Sequence, residues 1–557
     1  MDSDTSLNSS SRNSYTSLGS SSSGCVTWKM KTRGSQDFSC HLASSCSQFS
    51  AVTRYRQKIL LNAYREPLDR VNELGDDRGY GHTGCVNALS WAFDGDILLS
   101  GGDDTTLRLW KLDHQDDTTP YPYKQISCIR TGHSGNIFNA HFLPSSSRIA
   151  SVAADRQVRV FDTERVLSSS SPNLGTDFSE RQTCIRTFTC HSGRTKRVVL
   201  EESSDKFLTV AEDGTVRQHD LRTPHKCSKN RGRCPPPLVT LPHELSTLAL
   251  SPLTPYLFVV AGEAPYGYLF DRRQTGRALL SEWGVPCNDG EYVTCVRRFG
   301  RKDRPSDKYN TDHITGARMA DTNGHEVLLS YSGDAIYLYS TLDDPSENEN
   351  GLSAMLPNNS SSEVEDLMDV ETSSDGSGNS DDDDDDDDSV TSDPQPIILG
   401  RNSVKYAPNV PVIMPRRRFS GHCNTETVKD VNFIGVEDEF VTSGSDDGNF
   451  FLWEKATGRL HGIYEGDGSV VNVIENHPRL PLIACSGIDT TIKLFAPTGE
   501  QSKFSKTEAA DRISETNAER SQIQSTFHIT TFSRLLWQYR AMLRQAEEEE
   551  TYTEELS

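Results

Sequence analysis

The 557-residue sequence predicts an all-β fold, a seven-bladed β-propeller interrupted by a long acidic insertion and flanked by termini outside the ring. Three observations lead to it. Short alternating strands return every 40–60 residues or so, a period that calls for a repeat architecture first. In the clearest units His, Ser or Thr, Asp and an aromatic residue stand at fixed offsets. The spacing breaks once, where the strand-end residues Tyr339 and Trp453 lie 114 positions apart. Seven four-stranded units around an axis close into an array with only short, protected edges.

Along the chain, residues 1–50 hold seventeen Ser and few aliphatics, too little apolar surface to offset ordering entropy, so disorder is expected. Residues 51–79 form a lead-in. Tyr55, Ile59, Ala63 and Tyr64 fall at helical spacing before Pro67, which predicts a basic amphipathic helix over 54–66. Blades one to five are expected over 80–342 and blades six and seven over 414–497. Two units, Leu241–Arg273 and Ile314–Ser340, show paired strands with the His–Ser–Asp markers missing or shifted. The insertion, 343–413, is expected as a solvated, self-repelling loop between blades five and six. Residues 498–557 are acidic, with helical stretches at 506–520 and 533–550. Either residues 71–80 or the C-terminal segment would close the ring.

Charge separates the insertion from the rest. From Asp343 to Asp393 there are nineteen Asp and Glu and no Lys or Arg, against a net charge of −23 for the chain. The remainder is nearly balanced and carries no clustered positive surface, so direct nucleic-acid binding is not expected. No apolar run approaches the ~20 residues of a membrane helix, and the start, Met1-Asp2-Ser3-Asp4, is not a secretory signal. Thirteen Cys without paired spacing read as reduced thiols of a nuclear or cytoplasmic protein. Six residues separate Cys227 from Cys234, the wrong pattern for a zinc knuckle or ribbon. No phosphate-binding loop, His-Glu-x-x-His or Gly-x-Ser-x-Gly occurs, so neither catalysis nor a metal or other cofactor is expected.

The markers are His82, Ser100, Asp104 and Trp110; then His133, Ser151, Asp155 and Phe161; then His191, Thr209, Asp213 and His219. A later unit has His422, Ser443, Asp447 and Trp453, and the last has Asp489 and Phe495 with Asp467 in the His position. Residues 81–497 thereby resemble the WD40 repeat family. In that family the imidazole, hydroxyl, carboxylate and indole bond one another inside each blade, and left unsatisfied such buried groups would be costly. Phe161 and Phe495 lack the indole donor.

Two strand ends carry a different pattern. His219-Asp220-Leu221-Arg222 and Phe270-Asp271-Arg272-Arg273 place an Asp two residues before an Arg, 51 residues apart. With Asp213 upstream, the first resembles the WDxR box of cullin-4-associated WD40 substrate receptors, with His219 at the aromatic position. The second lacks the upstream Asp. The series DGTVRQHDLR, YGYLFDRR, EVLLSYSGDAIYLYS, FVTSGSDDGNFFLWEKATG and NHPRLPLIACSGIDTTIKLF also resembles the nuclear-receptor-interacting branch of that family. The resemblance implies that Asp220, Arg222, Asp271 and Arg273 dock the adaptor damage-specific DNA-binding protein 1. The chain would then be a non-catalytic receptor bringing a protein substrate to a cullin-4 RING ubiquitin ligase. The opposite face and the acidic loop would be left for that substrate. A WD40 scaffold for chromatin or transcription complexes is the second reading. Three local alternatives stay open: a salt bridge closing each blade at the two Arg; a helix at 54–66 that caps the ring or enters a groove of the adaptor; and an insertion that solubilises or attracts basic partners such as histones.

Overall fold

The computed structural model describes residues 62–526, without 76–79, 114, 117–118, 169–175, 226, 228–233, 275–294, 303–312, 346–409, 411 and 500. The expectations for 1–50, most of the 54–66 helix, nearly all of the insertion and the 533–550 helix lie outside those residues.

The described strands form seven antiparallel sheets arranged as a seven-bladed propeller, two of which gain a parallel fifth strand. Each blade's first three strands are joined by short turns. In blade one these are β2 (Val86–Ala92), β3 (Ile97–Gly102) and β4 (Thr106–Leu112), with β5 (Tyr123–Arg130) outermost. Strand residues alternate between faces, and both faces of the inner strands are apolar because each blade packs on two neighbours. Among the described residues the core is accordingly seven clusters, each shared by adjacent blades. Leu99, Leu109, Ile137 and Phe161 lie between blades one and two; Val473, Leu494, Leu89 and Trp110 lie between seven and one. Tight turns join the second and third strands, with Gly214 and Gly448 at φ +73° and +82° after their Asp residues, a conformation that glycine adopts at low cost.

Ring closure comes from the lead-in. Strand β1 (Leu68–Leu74) pairs antiparallel with β30 (Ile492–Pro497), from Leu68 opposite Pro497 to Leu74 opposite Ile492. The last blade thus takes its outer strand from the start of the fold. Tyr64, just before it, is buried in the seam of blades six and seven, and its hydroxyl donates to Asn476 Oδ1 at 2.5 Å.

The insertion sits differently from the expectation. Blade five consists of β19 (Ile314–Met319), β20 (Glu326–Tyr331), β21 (Ile336–Ser340) and β23 (Arg417–Phe419). The acidic tract therefore falls inside blade five, before its outer strand, and not between blades five and six. Sequence markers mark only the first three strands of a blade, so the short outer strand RRF passed for an approach to blade six. Arg416 pairs with Asp343 at the root of the tract, Nε to Oδ2 at 2.7 Å.

The C-terminal segment wraps outward. Ser502–Phe504 bond Asp69, and the helix Ala510–Thr526 lies over blade six, Ala510 and Ile513 packing against the blade five–six cluster.

Candidate functional site

The marker residues form the internal chain of hydrogen bonds in three blades. In blade one His82 Nδ1 lies 3.0 Å from Asp104, His82 Nε2 lies 2.8 Å from Ser100 Oγ, and Trp110 Nε1 donates to the same oxygen at 2.9 Å. Burial lowers the His82 pKa, so the ring is neutral and donates from Nδ1 to the carboxylate. Burial alone would raise Asp104, but hydrogen bonds from His82 and Thr106 outweigh it and hold it low. Blade two keeps His133–Asp155 and His133–Ser151 at 2.9 and 2.8 Å, and Phe161 adds no donor. In blade three His191 reaches Asp213 at 3.2 Å and Thr209 at 2.8 Å. His219 Nε2 lies 2.8 Å from Thr209 Oγ1 and its ring stacks on Phe207. An imidazole here takes the role of the indole of Trp110. Burial pushes its pKa well down, leaving it neutral.

Blade six departs from the expected network. Both ring nitrogens of His422 lack partners among the described residues, although the side chain is buried. Trp453 Nε1 donates to the Ser420 carbonyl at 3.1 Å, and Ser443 donates to the Gly444 carbonyl. Asn517, on the C-terminal helix, donates to Asp447 at 2.8 Å. The helix thus supplies Asp447 with a donor, as His82 does for Asp104 in blade one. In blade seven Lys493 bridges Asp489 and Asp467, at 2.8 and 3.4 Å.

Arg222 and Arg273 converge. Each follows a third strand, β13 (Thr215–Asp220) in blade three and β17 (Gly267–Asp271) in blade four. Arg222 gives its Nε and Nη2 to the two Asp220 oxygens at 3.0 and 2.8 Å, and its backbone N–H to Oδ1 at 3.0 Å. Arg273 holds Asp271 in the same way, at 3.0, 2.6 and 2.9 Å. One carboxylate thus caps the turn and grips the guanidinium, which fixes the spacing at two residues. The Arg222 guanidinium lowers the Asp220 pKa to about 2, and Arg273 lowers that of Asp271. Both Arg side chains stay exposed, 60% and 64%. The Asp takes the Nε–Nη2 edge, so Nη1 and the outer edge face outward.

Both Arg line one cleft of about 630 Å³ between blades three and four, with Glu201, Lys206, Gln218 and Tyr256. Sequence reasoning missed two residues here. Arg272 crosses the seam to Glu201 at 3.0 Å and Gln218 at 2.9 Å, tying the blades together between the forks. Tyr256 lies beneath Arg273, its ring centroid 3.7 Å from the guanidinium carbon, a cation–π contact. Arg272 was visible as the middle residue of its Asp-x-Arg; nothing in the sequence marks Tyr256. First and third strands run parallel, so their ends share a face. The insertion, leaving the third strand of blade five at Ser340, is rooted on the same face as the forks.

A second constellation gathers side chains that the linear spacing of the cysteines keeps apart; all of its cysteines are free thiols. Cys190, His225, Cys227 and Cys234 bring one ligand atom each within 4.8 Å of one another. Cys190 comes 35 residues before His225, so linear spacing between Cys227 and Cys234 concealed the group.

The family model "WD domain, G-beta repeat" matches residues 77–111, 126–162 and 414–454. WD repeat protein iqw1 of Schizosaccharomyces pombe is 35% identical over 272 residues, 48% of this chain and 32% of that protein. DDB1- and CUL4-associated factor 6 of Homo sapiens is 31% identical over 264 residues, 47% of this chain and 27% of that protein. WD and tetratricopeptide repeats protein 1 of Homo sapiens is 22% identical over 605 residues, 75% of this chain and 84% of that protein. The chain thus spans about a third or less of the length of the first two. The chain therefore carries WD40 repeats, matched in the first, second and sixth blades, within a seven-bladed propeller.

Proposed function

We propose that the chain is a substrate receptor that docks on damage-specific DNA-binding protein 1 and recruits a protein substrate to a cullin-4 ubiquitin ligase. The observation that carries the reading is the shared cleft: two exposed guanidinium forks on adjacent blades, each preset by its own Asp, around one concavity. A preset fork loses little side-chain freedom on binding, and its outward edge suits a carboxylate or paired carbonyls. Two such forks with a fixed separation select an orientation as well as a charge. The similarity to DDB1- and CUL4-associated factor 6, whose name records both partners, supports the same reading.

The salt bridges closing each blade are compatible with docking, since each Asp uses one edge of its Arg and leaves another. The test is co-purification. The wild-type chain should bring down adaptor and cullin. Arg222→Glu with Arg273→Glu should lose both while unfolding at the same temperature. An interface Arg of this kind contributes about 2 kcal/mol, roughly 30-fold in Kd. Full retention of the adaptor by the folded double variant would refute the reading; absence of both proteins from the wild-type sample would leave the scaffold role.

A further inference from the structure

Among the described residues the third blade has the shortest outer-strand pairing. Its fourth strand, β14 (Val239–Thr240), makes two residue pairs with β13, Thr215 with Thr240 and Val216 with Val239. Blade one makes seven at the equivalent place. A short ladder therefore holds the outer strand that follows the connection between β13 and β14. On that connection sit His225, Cys227 and Cys234. Facing them is Cys190, from the crossover between the outer strand of blade two, β10 (Cys184–Phe188), and the inner strand of blade three, β11 (Thr195–Leu200).

The distances are those of a ligand set. Cys190 Sγ lies 3.4 Å from His225 Nε2 and 3.5 Å from Cys227 Sγ, and Cys227 Sγ lies 3.2 Å from His225 Nε2. A tetrahedral zinc with sulfur arms of about 2.3 Å spaces its ligand atoms about 3.8 Å apart, so small movements outward would seat the ion. Two further features suit thiolate ligation. The backbone N–H of Thr189 points at Cys227 Sγ, 3.2 Å away, as outer-shell donors do around coordinated sulfur. The His225 ring stacks parallel on Phe188, which fixes its orientation.

We propose that Cys190, His225, Cys227 and Cys234 bind one Zn²⁺ as a structural site that fastens the connection after Arg222 to the seam of blades two and three. Three sulfurs and one imidazole nitrogen complete a closed tetrahedron with no position for a substrate, which assigns the ion a structural role. Three thiols lose their protons as the ion binds, so retention weakens in acid. Burial differs usefully among the ligands: Cys190 is buried and the other three are half-buried, so the ion has a route in from the connection side. The inference stands independently of adaptor docking.

The experiment uses the full chain purified without chelator, with metal counted by plasma mass spectrometry. One zinc per chain is expected. Cys227→Ser with Cys234→Ser should abolish it, and Cys485→Ser, a buried thiol elsewhere, should retain it. Loading with Co²⁺ instead should give the intense visible bands of a tetrahedral thiolate site, altered by His225→Ala. If the double variant fails to fold, the wild type answers alone: stripping with a high-affinity chelator should expose the 221–238 connection to protease, and adding back Zn²⁺ should protect it. Zinc-free folded wild type with no cobalt bands overturns the proposal. So does undiminished zinc in the folded double variant, or a Cys190–Cys227 disulfide in place of metal in protein kept under nitrogen.

Discussion

His82 and His422 occupy equivalent positions in blades one and six and differ in what surrounds them. His82 links a carboxylate to a hydroxyl, whereas neither nitrogen of His422 has a partner among the described residues. Removing one partner of a buried pair costs about 1–3 kcal/mol. His82→Leu should therefore lower the urea midpoint clearly, and His422→Leu should cost far less or nothing. Acid gives an independent check. Burial lowers the His422 pKa to about 4, below the ordinary value of about 6.5. The unfolded chain then takes up a proton that the folded chain refuses, so this residue's contribution to stability is full above about pH 6.5 and falls as pH drops toward 4. The slope of stability against pH in that window should be shallower for His422→Leu than for wild type; an unchanged slope would contradict the assignment. The fixed offsets made His422 look like its counterparts, because the donor that Asp447 does receive, Asn517, arrives from a helix 95 residues later in the chain.

At the scale of elements, strand periodicity and the Ser–Asp–aromatic spacing made the inner three strands of most blades legible. Outer strands were harder. Leu68–Leu74 has no marker, and its partner in β30 lies more than 400 residues away, so only the fold shows the pairing. The short β23 was hidden for the same reason. Deleting residues 1–75 should remove one side of the blade-seven ladder and expose Ile492 and Leu494 of the core. The expected result is aggregation or a broad, non-cooperative melt, while a chain beginning just before Tyr64 melts as one unit; calorimetry distinguishes them. The Arg forks were legible as spacing, but their convergence was not, because Tyr256 and Arg272 complete the cleft through the packing of two blades.

For the whole molecule, the net charge of −23 and the propeller belong to different parts of the chain. The chain is fastened on both sides of the acidic tract, Arg416 to Asp343 and β23 to β21 through Leu338 and Ile336. Replacing residues 346–409 with a short Gly-Ser linker should leave the melting temperature within a few degrees, since loop-closure entropy grows only by about 0.6 kcal/mol per doubling of length. A large drop in melting temperature would show that the tract supports the ring. The same shortened chain tests docking, because the tract is rooted on the face of the forks. Unchanged adaptor capture would assign the acidic residues to another task.

Placing the tract inside blade five has a consequence for how the molecule can be divided. Were the chain supplied as two polypeptides, split within the tract, the first would end with blade five lacking its outer strand, and the second would carry that strand just after Val412–Ile413, which pairs on blade four. The second would also end in a blade seven awaiting Leu68–Leu74 from the first. Each polypeptide would carry the strand the other lacks, at both junctions of the ring. Two separately encoded halves, co-expressed, are thus expected to reassemble into one particle through reciprocal strand exchange.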